Sequence, residues 1–215
     1  MTLHWPEYAA AFLGSLAIAW IVTPLVLRLA LRSRAMDAPD DRKTQASPVP
    51  YLGGLAIVAG FSAMVFAAAA LNHNSSVLTD LAVLLGTGLV LAVMGLFDDI
   101  RGGVSPYLRL LVEVAAGVVV YQSGSGALLG GPDWVDLAVT VLWVVGVTNA
   151  FNLLDNMDGL SAVVAAIAAA AFGLLAALHG QYLVAALAAG TAACATGFLR
   201  PNFHPPPITM GAAAP

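Results

Sequence analysis

NAFNLLDNMDGLSAVVAAIAAAAFGLLAAL, residues Asn149–Leu178, sets a dense polar cluster directly against a run with no charged side chain. The run from Leu160 onward is long enough to cross a bilayer, which takes about 20 predominantly apolar residues. In lipid a lone strand would leave its backbone unpaired, so the run reads as a helix. The cluster before it places Asn149, Asn152, Asp155 and Asp158 at intervals of three, with Asn156 among them. A carboxylate at the bilayer centre costs roughly 2.5–3.5 kcal/mol even on the mildest scale. Acids and amides crowded between two oily segments therefore mark a polar site at a membrane surface. A second acidic knot, Asp98–Asp99, strengthens that reading.

The rest of the chain has the same character. A soluble domain is about 25% charged and 45–50% apolar. Here 9% of residues are charged and 60% hydrophobic, with a mean hydropathy of +0.89. Such a chain cannot cover its surface with polar groups, so an all-α, polytopic membrane protein is expected. The net charge of −4 gives no footprint for nucleic acid, and the single Cys194 cannot form an internal disulfide.

Seven segments suit a membrane: near Tyr8–Leu27, Leu52–Leu71, Leu78–Phe97, Pro106–Tyr121, Trp134–Thr148, Leu160–Leu178 and Tyr182–Leu199. The fourth and fifth are the weakest, being short, and the fourth carries Arg109 and Glu113. These two stand four residues apart on one helical face, where an ion pair forms readily. The first segment has no basic residue before it and does not read as a cleavable signal peptide. If the segments alternate, all eight basic residues (Arg28, Arg32, Arg34, Arg42, Lys43, Arg101, Arg109 and Arg200) fall on one side. The positive-inside rule makes that side cytoplasmic and puts the N-terminus outside. The glycine-rich Gly124–Gly131 stretch then reads as a flexible outside loop.

Three loops share the basic side: DAPDDRKTQASPVPYLGG (Asp37–Gly54), GLFDDIRGGVSPYLR (Gly95–Arg109) and NAFNLLDNMDGL (Asn149–Leu160). They hold Asp37, Asp40, Asp41, Asp98, Asp99, Asp155 and Asp158, an acidic concentration that the positive-inside rule does not require. Carboxylates and amide oxygens without a His/Cys cluster are hard donors, suited to Mg²⁺ or Mn²⁺ rather than zinc. Arg42 and Lys43 supply cations for phosphate oxygens, and Gly53–Gly54 allow close approach to the next helix. Metal, cations and spare carboxylates at a membrane surface suit phosphoryl transfer involving a lipid phosphate.

RKTQASPVPYLGGLAI, GLFDDI, NAFNLLDNMDGLSA and GFLRPNFHPPPITMG, in that order, resemble the polyprenyl-phosphate N-acetylhexosamine-1-phosphate transferase family from about Asp37 to Gly211. PVPYLGG is more similar to the branch that uses UDP-N-acetylglucosamine than to the phospho-N-acetylmuramoyl-pentapeptide branch. The resemblance implies a glycosyl-1-phosphate transferase of the cytoplasmic (inner) membrane. It implies transfer of N-acetylglucosamine-1-phosphate from a UDP-sugar to a polyprenyl phosphate on the cytoplasmic face, release of UMP and initiation of cell-envelope polysaccharide synthesis. By position it implies Asp98 and Asp99 as the catalytic acidic pair, acting on the lipid phosphate or organising Mg²⁺. It implies Asn152 as a metal-associated residue, and Lys43, Asn149, Asp155 and Asp158 as substrate-binding groups. A homodimer is the assembly envisaged.

The departures are specific. Asn156 stands where a Gly is common and Gln45 where a His is common. After HPPPITMG the family continues Asp-Ser-Gly, with that Asp a principal Mg²⁺ ligand, and this chain has Ala212. Family members carry further transmembrane helices, so residues 1–215 are expected to form a single transmembrane domain, the N-terminal part of a larger family fold. The competing readings are an inactive fragment or pseudoenzyme with an incomplete metal site, and a small multi-pass transporter. A transporter would hold its polar residues near the bilayer midplane, whereas these sit at segment ends. The bland alternative for Asp155, Asn156 and Asp158 is N-capping of the sixth helix, which leaves Asn149 and Asn152 unexplained.

Overall fold

The apolar runs do fold as helices, and their limits are set by proline, glycine and the charged ends. The computed structural model describes residues 5–33, 36–37, 49–50, 52–71, 74–101, 103–155, 157, 159–202, 208 and 211. Among them are seven α-helices: α1 (Trp5–Ser33), α2 (Gly54–Leu71), α3 (Ser75–Arg101), α4 (Pro106–Val120), α5 (Asp133–Leu154), α6 (Leu160–Leu178) and α7 (Tyr182–Asn202). A two-residue antiparallel pair, β1 (Met36–Asp37) with β2 (Val49–Pro50), closes the connection between α1 and α2.

Among the described residues, six helices are long and apolar enough to cross a membrane. The exception is α4, one of the two segments that looked weakest in the sequence; the other, α5, is long enough. The 15 residues of α4 extend about 22 Å at the usual rise, short of a hydrocarbon core of about 30 Å. A π-helical turn through Tyr121–Ser125 prolongs it and is broken at Gly124, whose φ of 82° is left-handed. The loop that follows is fastened down, which corrects the expectation of a flexible stretch. Ala127 N–H donates to Thr140 Oγ1 at 2.9 Å and Leu129 N–H to Asp136 Oδ1 at 3.0 Å, both acceptors lying on α5. The other outward difference is at the end of α5, which runs past Thr148 to Leu154 and takes Asn149 and Asn152 into the helix.

The large side chains point outward, as a lipid-facing surface requires: Leu13, Ile21, Phe66, Leu142, Trp143 and Phe172 are all exposed. The interior is built from small residues that let helix backbones approach. At Gly190 of α7 a methyl group would fall 2.9 Å from Ser15 Oγ and closer still to the Met64 sulfur, so α1, α2 and α7 meet there with no room for a side chain. One apolar cluster joins Val26 and Ala30 of α1, Leu52, Ala56 of α2, Ala162 of α6, Phe198 of α7 and Ile208, with Leu96 of α3 packed against it. The C-terminal ends of α1, α3 and α7 and the N-terminal ends of α2 and α6 thus gather at one end of the bundle. This alternation is the one the sequence suggested, and the polar site is built at that end.

Candidate active site

The last turn of α3 carries Asp98 and Asp99, and Asp98 organises the turn that follows. Its backbone carbonyl accepts the N–H of Gly103 at 3.0 Å, and its Oδ1 accepts the N–H of Val104. Gly103, at φ 117°, reverses the chain in a conformation that glycine adopts readily. Pro106 then opens α4 at its first turn, where its missing N–H costs nothing. The reversal sets Arg109 beside Asp98, with Nη1 3.7 Å from Oδ2.

Arg109 also donates from Nε to Glu113 Oε1 at 3.0 Å, the i,i+4 pair expected on this face. Glu113 is only 2% exposed. Its other oxygen, Oε2, accepts from Asn149 Nδ2 on α5, and Asn149 Nδ2 donates further to Val145 O at 2.9 Å. The contact is possible because α4 and α5 nearly touch one turn away. A Cβ on Gly117 would fall 2.9 Å from Val141 Cα, so glycine there brings Glu113 within reach of α5. Asp98, Arg109, Glu113 and Asn149 form one chain across three helices, an ion pair at its α3 end and hydrogen bonds from Arg109 onward. Asp98, Arg109 and Glu113 border a narrow cleft with Leu91, Met94, Gly95 and Thr148, whose enclosed space is about that of one water molecule.

A second polar set lies beyond the end of α5. Asp155 terminates that helix, and its Oδ2 accepts the N–H of Gly211 at 2.9 Å. Gly159 occupies the N-cap position of α6 at φ 71°, with no side-chain capping bond. Its N–H goes instead to Asn202 Oδ1 of α7 at 3.1 Å, and Asn202 Nδ2 donates to Ile208 O at 3.1 Å. The N-cap position of α6 thus falls on Gly159, and Asp155 is linked to the segment after α7.

The predicted residues fall as follows. Asp98 and Asn149 share the first network. Asp99, half-buried beside Asp98, is turned by about 100° from it, as successive helical residues are. Asn152 is half-buried in the last turn of α5 and makes no side-chain hydrogen bond among the described residues. Asp155 belongs to the second set, while Lys43 and Asp158 lie outside the described residues. Glu113, Arg109 and Asn202 are the additions. The first two were visible as an intrahelical pair, but their tie to α5 was not, and Asn202 sat unremarked inside GFLRPNFHPPPITMG. Among the described residues no three His, Cys, Asp or Glu side chains gather as a preformed metal cage. The donors present are nonetheless carboxylate and amide oxygens only, a set that fits Mg²⁺ completed by waters and substrate phosphates.

Both networks lie within the part of the chain, residues 81–213, that matches the profile of glycosyl transferase family 4. The chain is 32% identical over 210 residues to a probable undecaprenyl-phosphate N-acetylglucosaminyl 1-phosphate transferase of Bacillus subtilis, covering 94% of this chain and 57% of that protein. It is 31% identical to the decaprenyl-phosphate N-acetylglucosaminephosphotransferase of Mycobacterium leprae, over 95% of this chain and 57% of that one. To the phospho-N-acetylmuramoyl-pentapeptide-transferase of Bacillus pumilus it is 28% identical, over 93% and 67% respectively. The chain thus spans somewhat more than half the length of the two N-acetylglucosamine relatives. On the extent of the matched region and these relatives, the chain belongs to glycosyl transferase family 4.

Proposed function

We propose that the site transfers N-acetylglucosamine-1-phosphate from UDP-N-acetylglucosamine to a polyprenyl phosphate at the cytoplasmic face of the cell membrane. UMP is released, and the lipid-linked sugar begins a cell-envelope polysaccharide. The observation that carries this reading is the chain of bonds from Asp98 on α3 through Arg109 and Glu113 to Asn149 on α5, with Asn152 and Asp155 farther along the same helix. Acidic and amide groups from separate helices meet at one end of a lipid-facing bundle, where a lipid phosphate and a water-soluble nucleotide can both arrive. The placement of every Lys and Arg on that side in the alternating topology supports the cytoplasmic assignment. The higher identity to the two N-acetylglucosamine relatives and the PVPYLGG motif support the choice of sugar.

In this reading an oxygen of the lipid phosphate attacks the sugar-linked phosphorus of the UDP-sugar. A new P–O bond forms as the bond to the UMP oxygen breaks. Asp98 and Asp99 face the incoming acceptor, and Arg109 holds Asp98 in place while balancing part of its charge. Asn149 and Asp155, with Lys43 and Asp158 from the sequence, hold the nucleotide sugar. Asn152 and a neighbouring carboxylate would hold Mg²⁺, which when bound neutralises the pyrophosphate and favours departure of UMP. Positioning and charge neutralisation are the main terms in such a reaction.

The test is transfer of radiolabelled N-acetylglucosamine-1-phosphate from the UDP-sugar to polyprenyl phosphate in membranes containing this chain, Asp98→Asn or Asp155→Asn. Lipid-linked label with wild type and its loss in both variants is the expected result. Variants as active as wild type would sink the site assignment. Ala212, where the resembling family has a metal-binding Asp, favours a second reading in which the chain keeps the fold without catalysis. An inactive wild type would support that one.

A further inference from the structure

Glu113 is the most deeply buried charge described in the chain, and ion pairing alone does not account for its arrangement. A buried pair seldom adds net stability over apolar residues of the same volume, because desolvation offsets the attraction. The second oxygen of Glu113 does something that a partner for Arg109 need not do. It accepts from Asn149 Nδ2, whose remaining hydrogen goes to Val145 O at 2.9 Å. A carboxylate and a carbonyl are acceptors only, so no other orientation of the Asn149 amide satisfies both. Both amide hydrogens are consumed, and Asn149 Oδ1 has no hydrogen-bond partner among the described residues.

We propose that Glu113 is a positioning residue for the transfer reaction, fixing the Asn149 amide with its oxygen outward and, through Arg109, holding Asp98 in register with that oxygen. The inference rests on the proposed function for its readout. It makes Asn149 an acceptor, for a hydroxyl or amide N–H of the nucleotide sugar or for the divalent cation, and not a donor to phosphate. Asp98 and Asn149 belong to helices joined through α4 in this network, so Glu113 is where the spacing between them is set.

The polarity of the Glu113–Asn149 bond supplies the test. In Glu113→Gln the new amide must turn its oxygen to Arg109 and its N–H₂ toward Asn149, donor against donor. Relief requires Asn149 to flip and withdraw its oxygen. In Asn149→Asp two carboxylates face each other. In the double variant Glu113→Gln/Asn149→Asp, the introduced amide accepts from Arg109 and donates to the introduced carboxylate, and the outward oxygen and net charge are both restored. The bond to Val145 O is lost, and a carboxylate oxygen faces that carbonyl instead. Each single variant is expected to lower kcat by about tenfold or more, and the double to return to within about threefold of wild type. Melting temperatures in detergent, measured on the same full chains, separate this from a packing role, in which activity follows stability and the double is worse than either single. A Glu113→Gln chain with wild-type kcat, or a double no better than the weaker single, overturns the positioning role while leaving the transferase reading intact. Absence of transfer by the wild type overturns the reading itself and this role with it.

Discussion

Asn202 at the end of α7 and Gly159 at the start of α6 are joined across 43 residues, the amide oxygen of one accepting the backbone N–H of the other at 3.1 Å. The same side chain donates to Ile208 O at 3.1 Å, so a single buried amide ties the α5–α6 turn to the segment that follows α7. Asp155 makes a parallel link through Gly211. The polar end of α5 is thus braced from α7.

Replacing Asn202 with Ala strands a buried N–H at Gly159 and a carbonyl at Ile208. An orphaned buried group costs about 1–3 kcal/mol, so Asn202→Ala is expected to destabilise the protein by about 3 kcal/mol. Asn202→Asp keeps the acceptor for Gly159 but sets a buried carboxylate oxygen against Ile208 O, so its cost is expected to be at least as large. Thermal unfolding in detergent decides the matter. Equal melting temperatures for wild type and Asn202→Ala would show that the brace carries no stability.

Asp155 separates charge from hydrogen bonding. Asparagine in its place still offers an oxygen to Gly211 N–H, so the link that the structure shows survives. What disappears is a negative charge at the end of α5. Asp155→Asn is therefore expected to melt within a few degrees of wild type, while losing about a hundredfold or more in transfer, the scale seen when a preorganised electrostatic group is removed. A variant that loses stability and activity in proportion would return Asp155 to a structural role.

Gly117 sets the distance between α4 and α5, far enough from the cleft that it touches no reacting group. Gly117→Ala brings a methyl to 2.9 Å from Val141 Cα, and backbone cannot yield as a flexible side chain does. Overpacking of this kind costs about 1–3 kcal/mol, and the shift separates Glu113 from Asn149. Gly86→Ala on α3, where nothing lies within 4 Å, is the matched control and gains helix propensity. Transfer activity and melting temperature are both expected to fall at Gly117 and to hold at Gly86. Unchanged activity in Gly117→Ala would break the proposed dependence of the network on helix spacing.

Hydropathy alone located the seven α-helices of the described residues, because in lipid each backbone must satisfy itself and long apolar runs have no alternative. It stopped α5 too early, at Thr148, since Asn149 and Asn152 look like loop residues when read by polarity. Phe151, Leu153 and Leu154 continue the helix around them, and a helix tolerates polar side chains at its end. The Arg109–Glu113 pair was legible from its spacing. Its extension to Asn149 was not, because that contact depends on the register of α4 against α5, which is fixed by the close approach of Gly117 to Val141. The link from Asp155 to Gly211 joins positions 56 apart, a separation at which no local pattern operates.

A requirement for a hard divalent cation is expected from the donor atoms. The polar side chains at the end of α5 offer oxygen and neither sulfur nor imidazole, which favours Mg²⁺ or Mn²⁺ over Zn²⁺. Asn152 is the group to interrogate, since it is half-buried and makes no side-chain hydrogen bond among the described residues. Its removal therefore breaks nothing inside the described fold. Chelation of divalent ions is expected to abolish transfer and added Mg²⁺ or Mn²⁺ to restore it, with Zn²⁺ ineffective. Asn152→Ala is expected to melt like wild type but to need about tenfold more Mg²⁺ for half-maximal rate, in line with the weakening that follows loss of a single supporting group at a metal site. Asn152→Asp, which adds charge to the same oxygen position, is expected to shift that midpoint the other way. A Mg²⁺ midpoint identical in all three proteins would remove Asn152 from the metal site and leave the carboxylates of α3 and α5 to supply it.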